Sequence, residues 1–152
     1  MPVYLAACDC GLCSIKLSRM PTQRMLCHCT ICQQVYDRPF ADVMMTDAST
    51  VKVPDDHSIG FKKYKKGAAL DRGSCVECHR PIVGFFQLLP GVRLAFVPSY
   101  AFGESCEKVD PGMHIYYGSR LEDIDDTLPK FQGAMRSQIA CLGPFIKAYR
   151  GK

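Results

Sequence analysis

Seven cysteines fall into three tight groups whose spacing suits metal ligation. Cys8 and Cys10 form a C-x-C pair followed by Gly11, Cys27, Cys29 and Cys32 form a C-x-C-x-x-C triplet, and Cys75 and Cys78 form a C-x-x-C pair. Spacings this short let one turn aim two sulfurs at a point, where a zinc ion takes them at roughly 2.3 Å in tetrahedral geometry. The two pairs together supply four thiolates, the complement of a closed structural site. The triplet supplies three, which leaves a fourth position for water or substrate, as in a catalytic zinc. Spacing alone does not join Cys8 and Cys10 to Cys75 and Cys78 instead of to the triplet; ligand count makes that the simplest partition.

The chemistry of an open three-cysteine site follows from its charge. Three thiolates outweigh a divalent ion, so the centre is electron-rich and a weak Lewis acid. It suits a substrate thiol held deprotonated better than it suits water activation. Other readings use the same residues. His28 or His79 could complete the triplet as a purely structural site, and disulfides would suit a secreted chain. Cys13, Cys106 and Cys141 lack partner spacing and are expected to pack as small apolar residues. His28, between two ligands, should point away from the metal, as a surface or supporting histidine or as a proton shuttle. His114 is expected to be a hydrogen-bonded structural histidine. Arg120 could clasp a substrate carboxylate or form a surface salt bridge.

Short elements must position these residues. Strand-like runs cover Val3 to Ala7, Cys13 to Leu17, Ala41 to Met45, Phe61 to Tyr64, Pro81 to Phe86, Arg93 to Val97 and His114 to Tyr117. In the last of these, Tyr116 and Tyr117 should face opposite sides, one towards the core and one towards a cleft. Ten prolines and twelve glycines favour many short strands over long helices. Helical turns are expected at Glu104 to Val109 and at Thr30 to Val35. Gln132 to Tyr149 has helical spacing that Gly143-Pro144 interrupts. With no repeat or linker, residues 1–152 are expected to form a single, mainly-β zinc-binding domain with short helices.

Composition bounds the function. The chain has 152 residues, 47% hydrophobic and 22% charged, which suits one folded domain and not a disordered chain. A net charge of +4, scattered apart from Lys62, Lys63, Lys65 and Lys66, falls short of a nucleic-acid-binding face, and that lysine run is expected to be solvated surface. No apolar run reaches the ~18–20 residues of a membrane span. The segment Met1 to Cys8 lacks a basic start and a long enough apolar stretch for a secretion signal. A reducing, cytoplasmic setting is therefore expected, where clustered thiols are metal ligands.

The cysteine pattern resembles the glutathione-dependent formaldehyde-activating enzyme (Gfa) family, which includes centromere protein V. Leu26-Cys-His-Cys-Thr-Ile-Cys32 is similar to the family's central motif. Pro111-Gly-Met-His-Ile115 with Ser119-Arg120, and Asp126-Thr-Leu-Pro-Lys-Phe131, are similar to its later motifs. The resemblance spans residues 5 to 132 and implies a fold of the β-tent type. It implies that Cys8, Cys10, Cys75 and Cys78 meet at one structural zinc, while Cys27, Cys29 and Cys32 hold a more labile second zinc near a substrate cleft. The implied activity is carbon–sulfur lyase chemistry on a small-molecule thiol adduct, as in formation of S-hydroxymethylglutathione. The alternative is a non-catalytic zinc module or thiol carrier. Three departures surround the ligands: Gln33-Gln34 follows the triplet in place of a basic residue, His79 stands where a glycine is common, and the chain has no tryptophan.

Overall fold

The computed structural model describes residues 2–64 and 70–151. It is mainly β, with two sheets and few helices. Strands β1 (Tyr4–Ala7), β2 (Ser14–Leu17) and β5 (Val51–Lys52) form a small antiparallel sheet. The seven-stranded sheet runs β10-β3-β4-β9-β8-β7-β6, with β3 at Gln23–Cys27, β4 at Ala41–Asp47, β6 at Ile59–Lys62, β7 at Leu70–Cys75, β8 at Pro81–Leu89, β9 at Val92–Pro98 and β10 at His114–Ile115. Every pairing in it is antiparallel except β10 on β3.

The central strands are apolar on both faces, because both are covered. In β4, Met44 joins Ile15, Leu17, Ile82 and Val97 in a core between the two sheets. Its neighbours Val43 and Met45 point the other way, joining Met25, Leu94, Ile115, Cys141 and Ala148 beneath the C-terminal helix. The period of two along a strand makes this division automatic.

That helix, α2 (Ala134–Arg150), corrects the expected interruption: it runs unbroken through Gly143-Pro144. Packing holds it. Phe145 packs tilted against Phe86 and edge-on against Phe96. Arg19 donates to the carbonyls of Ala148 and Tyr149 at the helix end. The expected turn after the triplet is a two-turn helix, α1 (Thr30–Tyr36), and the expected helix at Glu104 lies within a kinked 3-10 segment, Ser99–Lys108. The strand expected over His114 to Tyr117 stops at Ile115. Tyr116 turns left-handed (φ 53°) and Tyr117 starts a 3-10 turn. Of the lysine run, Lys62 lies over the Tyr64 ring at 4.9 Å and Lys63 is exposed; Lys65 and Lys66 lie outside the described residues.

Candidate metal centres

The hairpin turns β1–β2 and β7–β8 present the two cysteine pairs to each other. Gly11, at φ 77°, donates to the Cys8 carbonyl, and the Cys8 amide donates to Cys13. On the other side the His79 amide donates to the Cys75 carbonyl, with His79 itself at φ 62°, a conformation that glycine adopts more cheaply. The four sulfurs of Cys8, Cys10, Cys75 and Cys78 lie within 4.8 Å of one another. Cys8 and Cys10 sulfurs are 3.3 Å apart and Cys10 and Cys75 sulfurs 3.6 Å. Tetrahedral zinc–sulfur bonds would require about 3.8 Å between sulfurs, whereas a disulfide needs about 2.05 Å. All four are free thiols, and the set could hold a metal ion. Burial pushes the Cys8 thiol up, but hydrogen bonds with Cys13, Cys10 and Cys75 outweigh it and bring it to about 6.

The triplet sits where β3 ends and α1 begins. Cys27 is the last residue of β3, Cys29 caps α1 by accepting from the Cys32 amide at 3.3 Å, and Cys32 lies on its first turn. The three sulfurs also lie within 4.8 Å of one another, and among the described residues no fourth Cys, His, Asp or Glu donor joins them. Hydrogen bonds from Cys27 and Cys32 pull the Cys29 thiol down to about 3, overcoming burial. The same Cys29 bond pushes Cys27 well up. Arg72, on β7, donates to Cys32 Sγ at 3.5 Å. Burial works against its charge, but Cys32, by its charge and its hydrogen bond, more than offsets this, so the guanidinium stays charged beside the sulfurs. No motif marks Arg72. The signal was the charge itself: three thiolates around a divalent ion leave an excess that a nearby cation would balance.

Beyond the triplet a cavity of about 700 Å³ opens between the large sheet and α2. Its walls include Met25, Val43, Val83, Phe86, Phe96, Cys141, Leu142 and Phe145, with Tyr36, Tyr116 and Arg72 at polar positions. Tyr117 is buried while Tyr116 lines the cavity, so the expected division of the pair is met by a turn in place of strand alternation.

His28 points away from the sulfurs, as expected. It is 1% exposed and its Nε2 lies 2.8 Å from His114 Nδ1, whose Nε2 meets Asp126 at 2.7 Å. Lys130 holds the same carboxylate at 2.6 Å. His79 is exposed and joins neither cluster. Arg120 pairs with Asp123 and covers the Tyr117 ring, outside the cavity lining. Gln33 donates to the carbonyls of His28 and Ser119, both at 2.9 Å, and so ties the triplet loop to the turn after β10. Cys13 and Cys141 are buried as expected; Cys106 is only half-buried.

Comparison with known proteins agrees with this geometry. A family model described as glutathione-dependent formaldehyde-activating enzyme matches residues 3–119. No protein of curated function matches the chain at a significant level. A crystal structure of a Rhodobacter sphaeroides protein is similar in fold, with a TM-score of 0.52 and 15% identity, covering 65% of this chain and 87% of that one. No described helix is long and apolar enough to cross a membrane.

Proposed function

This chain belongs to the glutathione-dependent formaldehyde-activating enzyme family, and from that membership we propose a zinc-dependent, carbon–sulfur lyase-like activity on a small-molecule thiol or its carbonyl adduct. The observation that carries the reading is the triplet: three converging sulfurs at the end of a cavity, without a fourth described donor. Cys8, Cys10, Cys75 and Cys78 would hold one zinc and Cys27, Cys29 and Cys32 a second. The donor chemistry fits, since both sets are free thiols at near-ligand separations. Bound at the triplet, zinc would supply a position for a thiolate and polarisation for a carbonyl.

The reaction is the reversible addition of a thiol to an aldehyde. A thiolate sulfur attacks the carbonyl carbon, one C–S bond forms, the carbonyl π pair moves to oxygen, and that oxygen takes up the proton the thiol released. The lyase direction reverses each change. Arg72 keeps positive charge at the sulfur end. Tyr36 lines the cavity, and burial holds its hydroxyl protonated, so it can donate a hydrogen bond to the developing oxygen anion. Such a site requires reduced cysteines, in keeping with a reducing compartment such as the cytoplasm.

Zinc stoichiometry tests the division of roles. Wild type should bind two zinc ions and Cys29→Ser one, with unchanged far-ultraviolet circular dichroism. Global unfolding of Cys29→Ser, or one zinc in wild type, would overturn it.

A further inference from the structure

Resting on the triplet as a thiol site, we infer that the natural thiol carries an uncharged, largely apolar body, hydrocarbon or aromatic. The cavity's lining combines one polar cluster with a largely apolar wall. Cys27, Cys29, Cys32 and Arg72 cluster together, and much of the remaining lining is apolar, from side chains such as Met25, Val83, Phe86, Phe96, Leu142 and Phe145. Among the described lining residues Arg72 is the sole side chain with a permanent charge, and its guanidinium is already engaged with Cys32 Sγ. Glutathione brings two carboxylates and an ammonium at neutral pH. Along this wall those groups would meet mostly apolar side chains, whereas an alkyl or aromatic body would be matched by them. Arg120, the other cation expected near the substrate, is committed to Asp123 and Tyr117 outside the lining. A pocket of this size and character matches ligands that bury most of an apolar surface and fix one polar head.

The sulfur would sit at the triplet end and the body would extend between the sheet and α2. Phe86, Phe96 and Phe145 pack around one another there in edge-on and tilted contacts, with ring centroids 5.7 to 6.2 Å apart. Affinity should then grow with the length of an alkyl chain.

The test uses the full chain loaded with cobalt(II), whose sulfur-to-metal absorption reports a thiol arriving at the triplet, with calorimetry for affinity. The probes are straight-chain alkanethiols from ethanethiol to hexanethiol, with glutathione beside them. Each added methylene should tighten binding about fourfold, the equivalent of about 0.8 kcal/mol, and hexanethiol should bind at least about 100-fold more tightly than glutathione. Phe145→Ala should blunt the gain for the longest chains. Should that variant not fold, the wild-type length series decides the matter alone. Affinity that is flat with chain length, or tightest for glutathione, overturns the inference while leaving a thiol site at the triplet. Binding that follows chain length with an unchanged cobalt spectrum overturns the thiol reading instead, and leaves an apolar binding cavity.

Discussion

Arg72 is the residue on which the second site's charge depends. It is held among Cys32, Tyr36 and the cavity wall, with Cys32 Sγ at 3.5 Å. Arg72→Gln keeps a donor and removes the charge. Groups that support metal ligands in this way are typically worth 10–100-fold in metal affinity. Competition with a chelator should therefore show the weaker of two zinc ions loosened by about that factor, and the tighter one unchanged. Equal loosening of both would mean that Arg72 acts through the fold. Behind the triplet, His28, His114 and Asp126 form a second chain of contacts. The hydrogen bond from Lys130, then that from His114, holds the Asp126 carboxyl at about 2, below its ordinary range. A depressed carboxyl contributes stability that is complete above the unfolded pKa near 4 and is lost as pH falls towards 2. The urea stability of wild type should thus exceed that of Asp126→Asn at pH 7 and stay so to about pH 5. The gap should close below about pH 4; a gap that is constant with pH would assign the difference to packing.

At the scale of elements, α2 carries an avoidable cost. Pro144 stands at an interior position, where it cannot donate to the carbonyl of Ala140, and an interior proline costs roughly 3 kcal/mol. Aromatic packing by Phe145 and the Arg19 contacts at the helix end outweigh that cost. Pro144→Ala should raise unfolding free energy by about 1–3 kcal/mol in urea titrations, and no gain would mean the helix bends there to suit the cavity. The same override explains what the amino-acid pattern could and could not reveal. β1, β2, β4, β8 and β9 were legible because alternation or a compact apolar run marks them. β3 was not, since Met25, Leu26 and Cys27 are all buried and no alternation survives. β7 was not, since Leu70-Asp-Arg-Gly-Ser-Cys75 is polar in sequence, and its value lies in Arg72 facing the cavity. The cysteine groups were legible because their ligand geometry is local; the cavity was not, because its wall is gathered from β3, α1, β4, β7, β8, β9 and α2.

For the molecule as a whole, the four-cysteine cluster fastens one sheet to the other. Cys8 and Cys10 belong to the turn of the small sheet, and Cys75 and Cys78 to the turn joining β7 and β8 of the large one. The small sheet has two strands of four residues and one of two, and Val3, Leu5 and Leu12 at its margin are half or more exposed. So few residues bury too little apolar surface to hold their place against chain entropy alone. A metal ion bridging Cys10 and Cys75 would close a loop of more than sixty residues and contribute its binding free energy directly to folding. The triplet differs: its three sulfurs come from one short segment, β3 into α1, which the large sheet already fixes. Cys10→Ser should therefore lower the melting temperature sharply and expose the small sheet to proteolysis, whereas Cys29→Ser should leave melting nearly unchanged. Titration of wild type with a strong chelator should likewise run in two phases, the first releasing one zinc without change in circular dichroism and the second coinciding with unfolding. Simultaneous release and unfolding in one phase would show the two clusters to be a single structural unit.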